Sequence, residues 1–230
     1  MMKIRFVSDP FGNGWMLAVP DGVTPAVVVR DRKLGLSVPW CLKVDLLKTE
    51  SGRDFFRILE GPLKGAKASL KLSDSGSSYL VTEDAHLPAG SIRLSRKKQQ
   101  LWFGAQGPFS AFSELSNPVV MGMHDIEIPD APHENFYPES SKYQQVWFRV
   151  GHSGDRYLHL GTISHGCATV RPWLPDKLKD GRFARRTDAE LGLPAPEPVS
   201  SFARWDDICK YLMPRRMRDD RSVGTLHVMD

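Results

Sequence analysis

The chain has 230 residues, 41% apolar and 25% charged, with a net charge of +4 and a pI near 9.0. That length can bury a full core as one large domain or two small ones, and the composition excludes a disordered chain. No window reaches the ~18 consecutive apolar residues of a membrane span.

The opening MMKIRFVSDPFGNGWMLAVP is broken by an Asp, a Pro and two Gly, so it does not read as a secretory signal peptide. Short apolar runs then alternate with turn signals: KIRFVS, WMLAVP, AVVVR, CLKVDLL, FFRILEG, SYLVTED, IRLSRK and QQLWFG. Gly and Pro punctuate them at the ~8–12-residue rhythm of a sandwich or barrel, so residues 1–105 are predicted to be a β-rich N-terminal region. Nothing in it clusters His, Cys and acids.

From Gly107 the character changes, and residues 106–230 read as a second unit. A loop and a turn precede a strand with period-2 alternation over Met121 to Ile128; QQVWFRV and RYLHL follow as strands, then SHGCATV. Residues 174–199, rich in Pro and charge, read as a long surface loop. SFARWDDICKYLM is predicted helical, with Ser200 or Ser201 as N-cap and Trp205, Ile208, Cys209 and Leu212 on one face. Pro214 ends it, and VGTLHVMD is a closing strand. The expected fold is therefore mainly β, a sandwich or mixed sheet with one C-terminal helix.

Basic residues concentrate at Arg96–Lys98, Arg182–Arg186 and Arg215–Arg221, the last interleaved with acids. No zinc-finger or RNP motif accompanies them, so a solvated surface is expected and no nucleic-acid partner. The three cysteines, Cys41, Cys167 and Cys209, form no CxxC, and an odd count argues against a disulfide framework. Cys41 and Cys209 sit in apolar contexts and read as core thiols.

Cys167 is different, because Ser-His-Gly before it is poor core material. A catalytic cysteine needs a base or positive dipole to favour the thiolate, and donors for an oxyanion. Gly166 permits a sharp turn whose N–H groups can face a carbonyl oxygen. His159 lies eight residues upstream at the end of a strand, and the Gly161 turn is expected to fold the chain back so that His159 and Cys167 meet across adjacent strands. Ser164 or His165 would orient the ring or touch substrate. Against this stand two bland readings, a packed core Cys167 and a satisfied core His159. A zinc site of Cys167, His165 and His159 is disfavoured, because the spacings do not match the usual patterns.

HLGTISHGCATV resembles the active-site motif of L,D-transpeptidases (the YkuD-type domain), which carry a His, a short Gly-containing loop and then S/T-x-G-C. The matching positions are His159, Gly161, Ser164, Gly166 and Cys167, with His165 in the variable place. Upstream, NPVVMGMHDIEI resembles the family's T-P-x-G-x-[FY]-x-I strand, so the likeness covers roughly residues 107–173. Two departures stand out. The family has Arg or Asn two residues after the Cys, where this chain has Thr169, with an Arg only at Arg171. The His is also nearer the Cys than usual. His152, fifteen residues before Cys167, fits the longer spacing but sits in the turn-like GHSGD; His124 and His133 are weaker candidates, and His133 would border a substrate groove. The compact spacing also resembles transpeptidase-like toxins delivered between bacteria.

The resemblance implies peptidoglycan chemistry on stem tetrapeptides: Cys167 as nucleophile, His159 as base, N–H groups near Gly166 and Cys167 for the oxyanion, and no metal or cofactor. An amine acceptor gives a cross-link or exchange, and water gives carboxypeptidase activity. Lacking a signal peptide, such an enzyme would be made in the cytoplasm and either injected into a rival's periplasm, which requires an immunity partner, or act on muropeptides inside the cell. Two other readings compete: an NlpC-type cysteine peptidase, whose base follows the Cys and would be His227, and a non-catalytic cell-wall-binding protein.

Overall fold

The computed structural model describes residues 2–82, 86–114, 116–133, 141–152, 154–161, 166–170 and 201–230. The chain is mainly β with one C-terminal helix, as its alternation and turn signals predict. No helix among the described residues is long and apolar enough to cross a membrane.

The first sheet holds β1 (Ile4–Val7), β2 (Trp15–Pro20), β3 (Leu36–Pro39), β4 (Lys43–Glu50), β5 (Arg53–Ile58), β6 (Lys67–Lys71) and β7 (Leu80–Val81), in the order β3-β2-β6-β5-β4-β1-β7. The alternation in FFRI is read out directly: Phe56 and Ile58 are buried while Phe55 and Arg57 are half-exposed. AVVVR, expected as a strand, is instead the short helix α1 (Pro25–Arg30). Thr24 stands extended before it and Pro25 occupies its first turn, where a fixed φ suits helix entry. The β-branched run is no core strand, since Val29 is 82% exposed.

Beyond β8 (Leu87–Pro88), the second sheet takes β9 (Gly90–Ser95), β10 (Gln100–Phe103), β11 (Gln106–Phe112), β12 (Gly122–Glu127), β13 (Phe148–Arg149), β14 (Tyr157–Leu160) and β15 (Ala168–Val170). The helix α2 (Ser201–Leu212), β16 (Arg215–Arg216) and β17 (Ser222–Met229) complete the chain. The order is β12-β17-β9-β10-β11-β15-β14-β13. Strands β9 and β10, read from sequence as part of the 1–105 region, belong to this second sheet, so the chain changes sheet between β7 and β9. Strand β11 falls where a loop was expected, and it pairs with β15. The two edge strands meet at the bridge Ile126↔Val150, and the Gly151 N–H reaches the Asp125 carbonyl at 2.8 Å. The sheet thus curls until its edges touch.

Strand β14 is parallel to β15 and antiparallel to β13, which is antiparallel to β12 across the bridge. The N-terminal ends of β12, β14 and β15 therefore share one rim. Helix α2 buries Trp205, Ile208, Cys209 and Leu212 completely, the face its spacing predicts, and it stops before Pro214. Ser200 and the 174–199 loop lie outside the described residues, and Ser201 is the first residue of the helix. The helix also holds the segment before β13: Trp205 donates to the Tyr143 carbonyl at 3.0 Å, and Asp206 accepts from Ser141 and the Tyr143 N–H. Cys41 and Cys209 are buried, as expected for core thiols.

A buried polar seam joins the segment after β5 to β16, which pairs with β8 in a separate two-stranded sheet. Arg216 pairs with Glu60 at 2.9 Å, their side chains 6% and 1% exposed, and donates to the Cys41 carbonyl. His86 Nε2 donates to the same carbonyl at 3.0 Å.

Candidate active site

Gly166 opens the turn into β15 with φ +78°, a conformation that side chains rarely adopt. A Cβ there would lie 3.1 Å from the Asn117 carbonyl oxygen and 3.4 Å from the Arg156 guanidinium carbon. Arg156 in turn donates to the Pro118 carbonyl at 2.8 Å and to Asn117 Oδ1 at 3.2 Å. The cysteine turn is thus cradled by the segment leading to β12 and by the residue preceding β14. The sharp glycine turn expected at this position is present.

Cys167 is 7% exposed. Its sulfur accepts the Tyr157 backbone N–H at 3.3 Å and donates to the Asp155 carbonyl at 4.0 Å.

The chain does not fold back as expected between His159 and Cys167, because β14 and β15 are parallel. Their register sets His159 opposite Thr169 and Leu158 opposite Ala168. Residues alternate faces along a strand, so His159, Tyr157, Cys167 and Thr169 share one face, opposite Leu158, Leu160, Ala168 and Val170, which belong to the core cluster. His159 and the sulfur are therefore diagonal neighbours rather than a direct cross-strand pair.

The His159 ring is 4% exposed. Its Nδ1 lies 3.0 Å from the Leu160 carbonyl, which can only accept, so Nδ1 carries the proton and Nε2 the lone pair. The Thr169 hydroxyl donates to that lone pair at 3.2 Å. Burial pushes the His159 pKa down to about 4, so the ring is neutral at neutral pH. Thr169, read from sequence as a substrate contact, is fully buried, and its hydroxyl serves the histidine instead.

Trp147 stacks on His159 and on His133, with centroids 4.2 Å and 4.6 Å apart. Tyr157 meets Trp147 and His133 edge-on. His133 is three-quarters buried and lies near Asp130. It stands at one end of an aromatic pile. Trp147 was missed in the sequence, although its alternation with core Phe148 in QVWFRV places it on the outer face. Ser164, His165 and Arg171 lie outside the described residues.

His152 occupies an exposed turn, as GHSGD suggests. Nδ1 is 2.6 Å from Glu127 and Nε2 is 2.8 Å from Asp125. Both nitrogens face carboxylate oxygens, and the hydrogen bond to Glu127, helped by that to Asp125, raises its pKa and so favours the imidazolium. One ligand atom each from His152, Asp125 and Asp219 lie within 4.8 Å of one another. His124 donates to the Val120 carbonyl at 2.7 Å. His227 lies on β17, with β9, β10 and β11 between it and β15, far around the sheet from Cys167.

No family model, curated protein or solved structure matches the chain.

Proposed function

We propose that this chain is a cysteine acyltransferase of the L,D-transpeptidase type, acting on peptidoglycan stem tetrapeptides as transpeptidase or carboxypeptidase. The observation that carries the reading is the placement of the Cys167 sulfur. It sits on a glycine turn at the sheet rim, accepts a backbone N–H, and shares a face with the neutral lone pair of His159. In the reaction, Sγ attacks the carbonyl carbon after the third stem residue and its proton passes to His159 Nε2. The C–N bond breaks, D-Ala leaves as an amine with that proton, and a thioester remains. Attack by an amine or water then releases the acyl group and restores the thiol. In the resting arrangement the Thr169 hydroxyl occupies Nε2, and catalytic hydrogen bonds of this kind often align only with substrate bound. No cofactor is required by such chemistry. Whether the enzyme is delivered to another cell's periplasm, with an immunity partner, or acts within its own cell belongs to the same proposal.

The test is incubation of the purified protein with disaccharide tetrapeptide, followed by mass spectrometry, beside Cys167→Ala. Loss of D-Ala, exchange with an added D-amino acid or dimer formation, absent in the variant, supports the reading. Cleavage elsewhere in the stem would move the protein to the cysteine-peptidase class, although the remoteness of His227 from Cys167 weighs against an NlpC-type arrangement.

One second reading has an observation in its favour. A buried sulfur, and a histidine whose lone pair is already taken, suit a non-catalytic cell-wall-binding protein. That reading expects wall binding unchanged by Cys167→Ala and a thiol inert to alkylating probes.

A further inference from the structure

We propose that the first half of β12, with Val120 and Met121 before it, is a receptor edge onto which an extended, carboxylate-bearing peptide adds as a further strand beside Cys167. The inference rests on the acyltransferase reading and names how the stem peptide is held.

Strand β12 is paired along its whole length with β17 on one side. On the other side its pairing, among the described residues, is the Ile126↔Val150 bridge and the Gly151–Asp125 bond. Because the Asp125 carbonyl faces away from β17, the period of two turns the N–H and C=O of Met123 toward the same open side. Among the described residues neither group of Met123 has a hydrogen-bond partner. An unpaired edge of this kind templates strand addition.

The side chains along the edge are apolar and open to solvent: Val120, Met121 and Met123 are 59%, 49% and 62% exposed. The edge is also continuous with the cysteine turn. Asn117 and Pro118, which lead into it, are the groups that cradle Gly166 and anchor Arg156. A four-residue peptide spans about 13 Å when extended, a length suited to a rim shared by the starts of β12, β14 and β15.

The charge of this rim selects the peptide. Arg96 reaches the Val119 carbonyl, Arg156 the Pro118 carbonyl, and Lys97 and Lys98 follow Arg96 as exposed cations. The nearby acids Asp230 and Asp125 are paired with Arg96 and His152, which leaves Asp155 as the exposed acid of the 152–156 turn. A stem peptide carries several carboxylates and an apolar residue or two, which matches lysines flanking methionines.

The test uses the full chain. Amide shifts of the Cys167→Ala protein are recorded by NMR while a stem tetrapeptide is added, and KM and kcat are measured for wild type, Met123→Pro and Met123→Glu. The expected result is shift changes and slowed exchange at Met121–His124. Removing the Met123 donor, or placing a like charge beside it, should raise KM about tenfold, the worth of one or two backbone hydrogen bonds, with kcat held. If Met123→Pro fails to fold, Met123→Glu and the amide shifts decide. Unchanged amides at Met121–His124 overturn the proposal. Turnover by wild type with KM unchanged in the folded variants also overturns it while leaving the acyltransferase reading intact. Peptide-dependent shifts along the edge without turnover support the edge and refute the acyltransferase reading instead. Concentration-dependent broadening of the same amides without peptide would assign the edge to a second copy of the chain and overturn the proposal.

Discussion

A neutral histidine locked inside the second sheet makes stability depend on pH in a way that one substitution can isolate. The native pKa of His159, about 4, lies below the ordinary value of 6.5, chiefly because of burial. Above pH 6.5 neither the native nor the unfolded ring holds an extra proton, so that region carries no penalty. Below it the unfolded chain gains a proton that the native ring refuses, and stability falls until the native ring also titrates. Between pH 7.5 and pH 5 the loss from this one group is about 2 kcal/mol, rising to about 3 kcal/mol below the native value. Urea unfolding followed by tryptophan fluorescence, at both pH values, compares wild type with His159→Gln. The variant loses the Leu160 and Thr169 hydrogen bonds, an offset shared by both pH values that cancels in the comparison. His86, whose pKa burial and Arg216 also lower, contributes equally to both proteins and cancels too. Wild type should lose about 2 kcal/mol more than the variant on acidification. Parallel losses in the two proteins would refute the buried, neutral ring, and with it the assignment of Nε2 as the lone-pair nitrogen.

Gly166→Ala forces a side chain into a left-handed conformation and against the Asn117 carbonyl, so calorimetry should show a loss of about 1–2 kcal/mol, with slower alkylation of the displaced Cys167. Gly224→Ala is harsher: its Cβ would sit 2.3 Å from the Gly90 carbonyl oxygen across the β17–β9 pair. Backbone must move to relieve that contact, and urea unfolding should register about 1–3 kcal/mol or more. Arg216→Met strands Glu60 in the buried seam and should cost about 3 kcal/mol by the same measurement, partly recovered in the double variant with Glu60→Gln. Cys167→Ala should abolish D-Ala release from tetrapeptide while leaving the thermal midpoint within a few degrees, because a small side chain replaces a small thiol.

Much of the architecture follows from local pattern alone. Alternation in FFRI and MHDIE, Gly and Pro spacing, and the one-sided face of SFARWDDICKYLM each set an element whose burial depends on the next few residues. The errors arise where a local signal competes with another. AVVVR has strand-forming side chains, yet Thr24 and Pro25 start a helix. Strand β11 falls where the pattern reads as loop, because its pairing with β15 is a long-range contact.

The candidate site divides in the same way. The order of residues makes Gly166 a turn that places Cys167 just before a strand, because a residue without Cβ permits a backbone that others resist. Which group serves which is decided by strand pairing, which local pattern does not encode. The parallel register sets His159 against Thr169 and gives the sulfur to the Tyr157 N–H. The aromatic pile of Trp147, His133 and Tyr157 assembles from three separate segments. His152 and His159 are both plausible bases from spacing, but one lies among carboxylates that hold it protonated and the other in a buried pile that keeps it neutral. Their difference comes from desolvation and neighbouring charge, and both of those exist only once the sheet has closed.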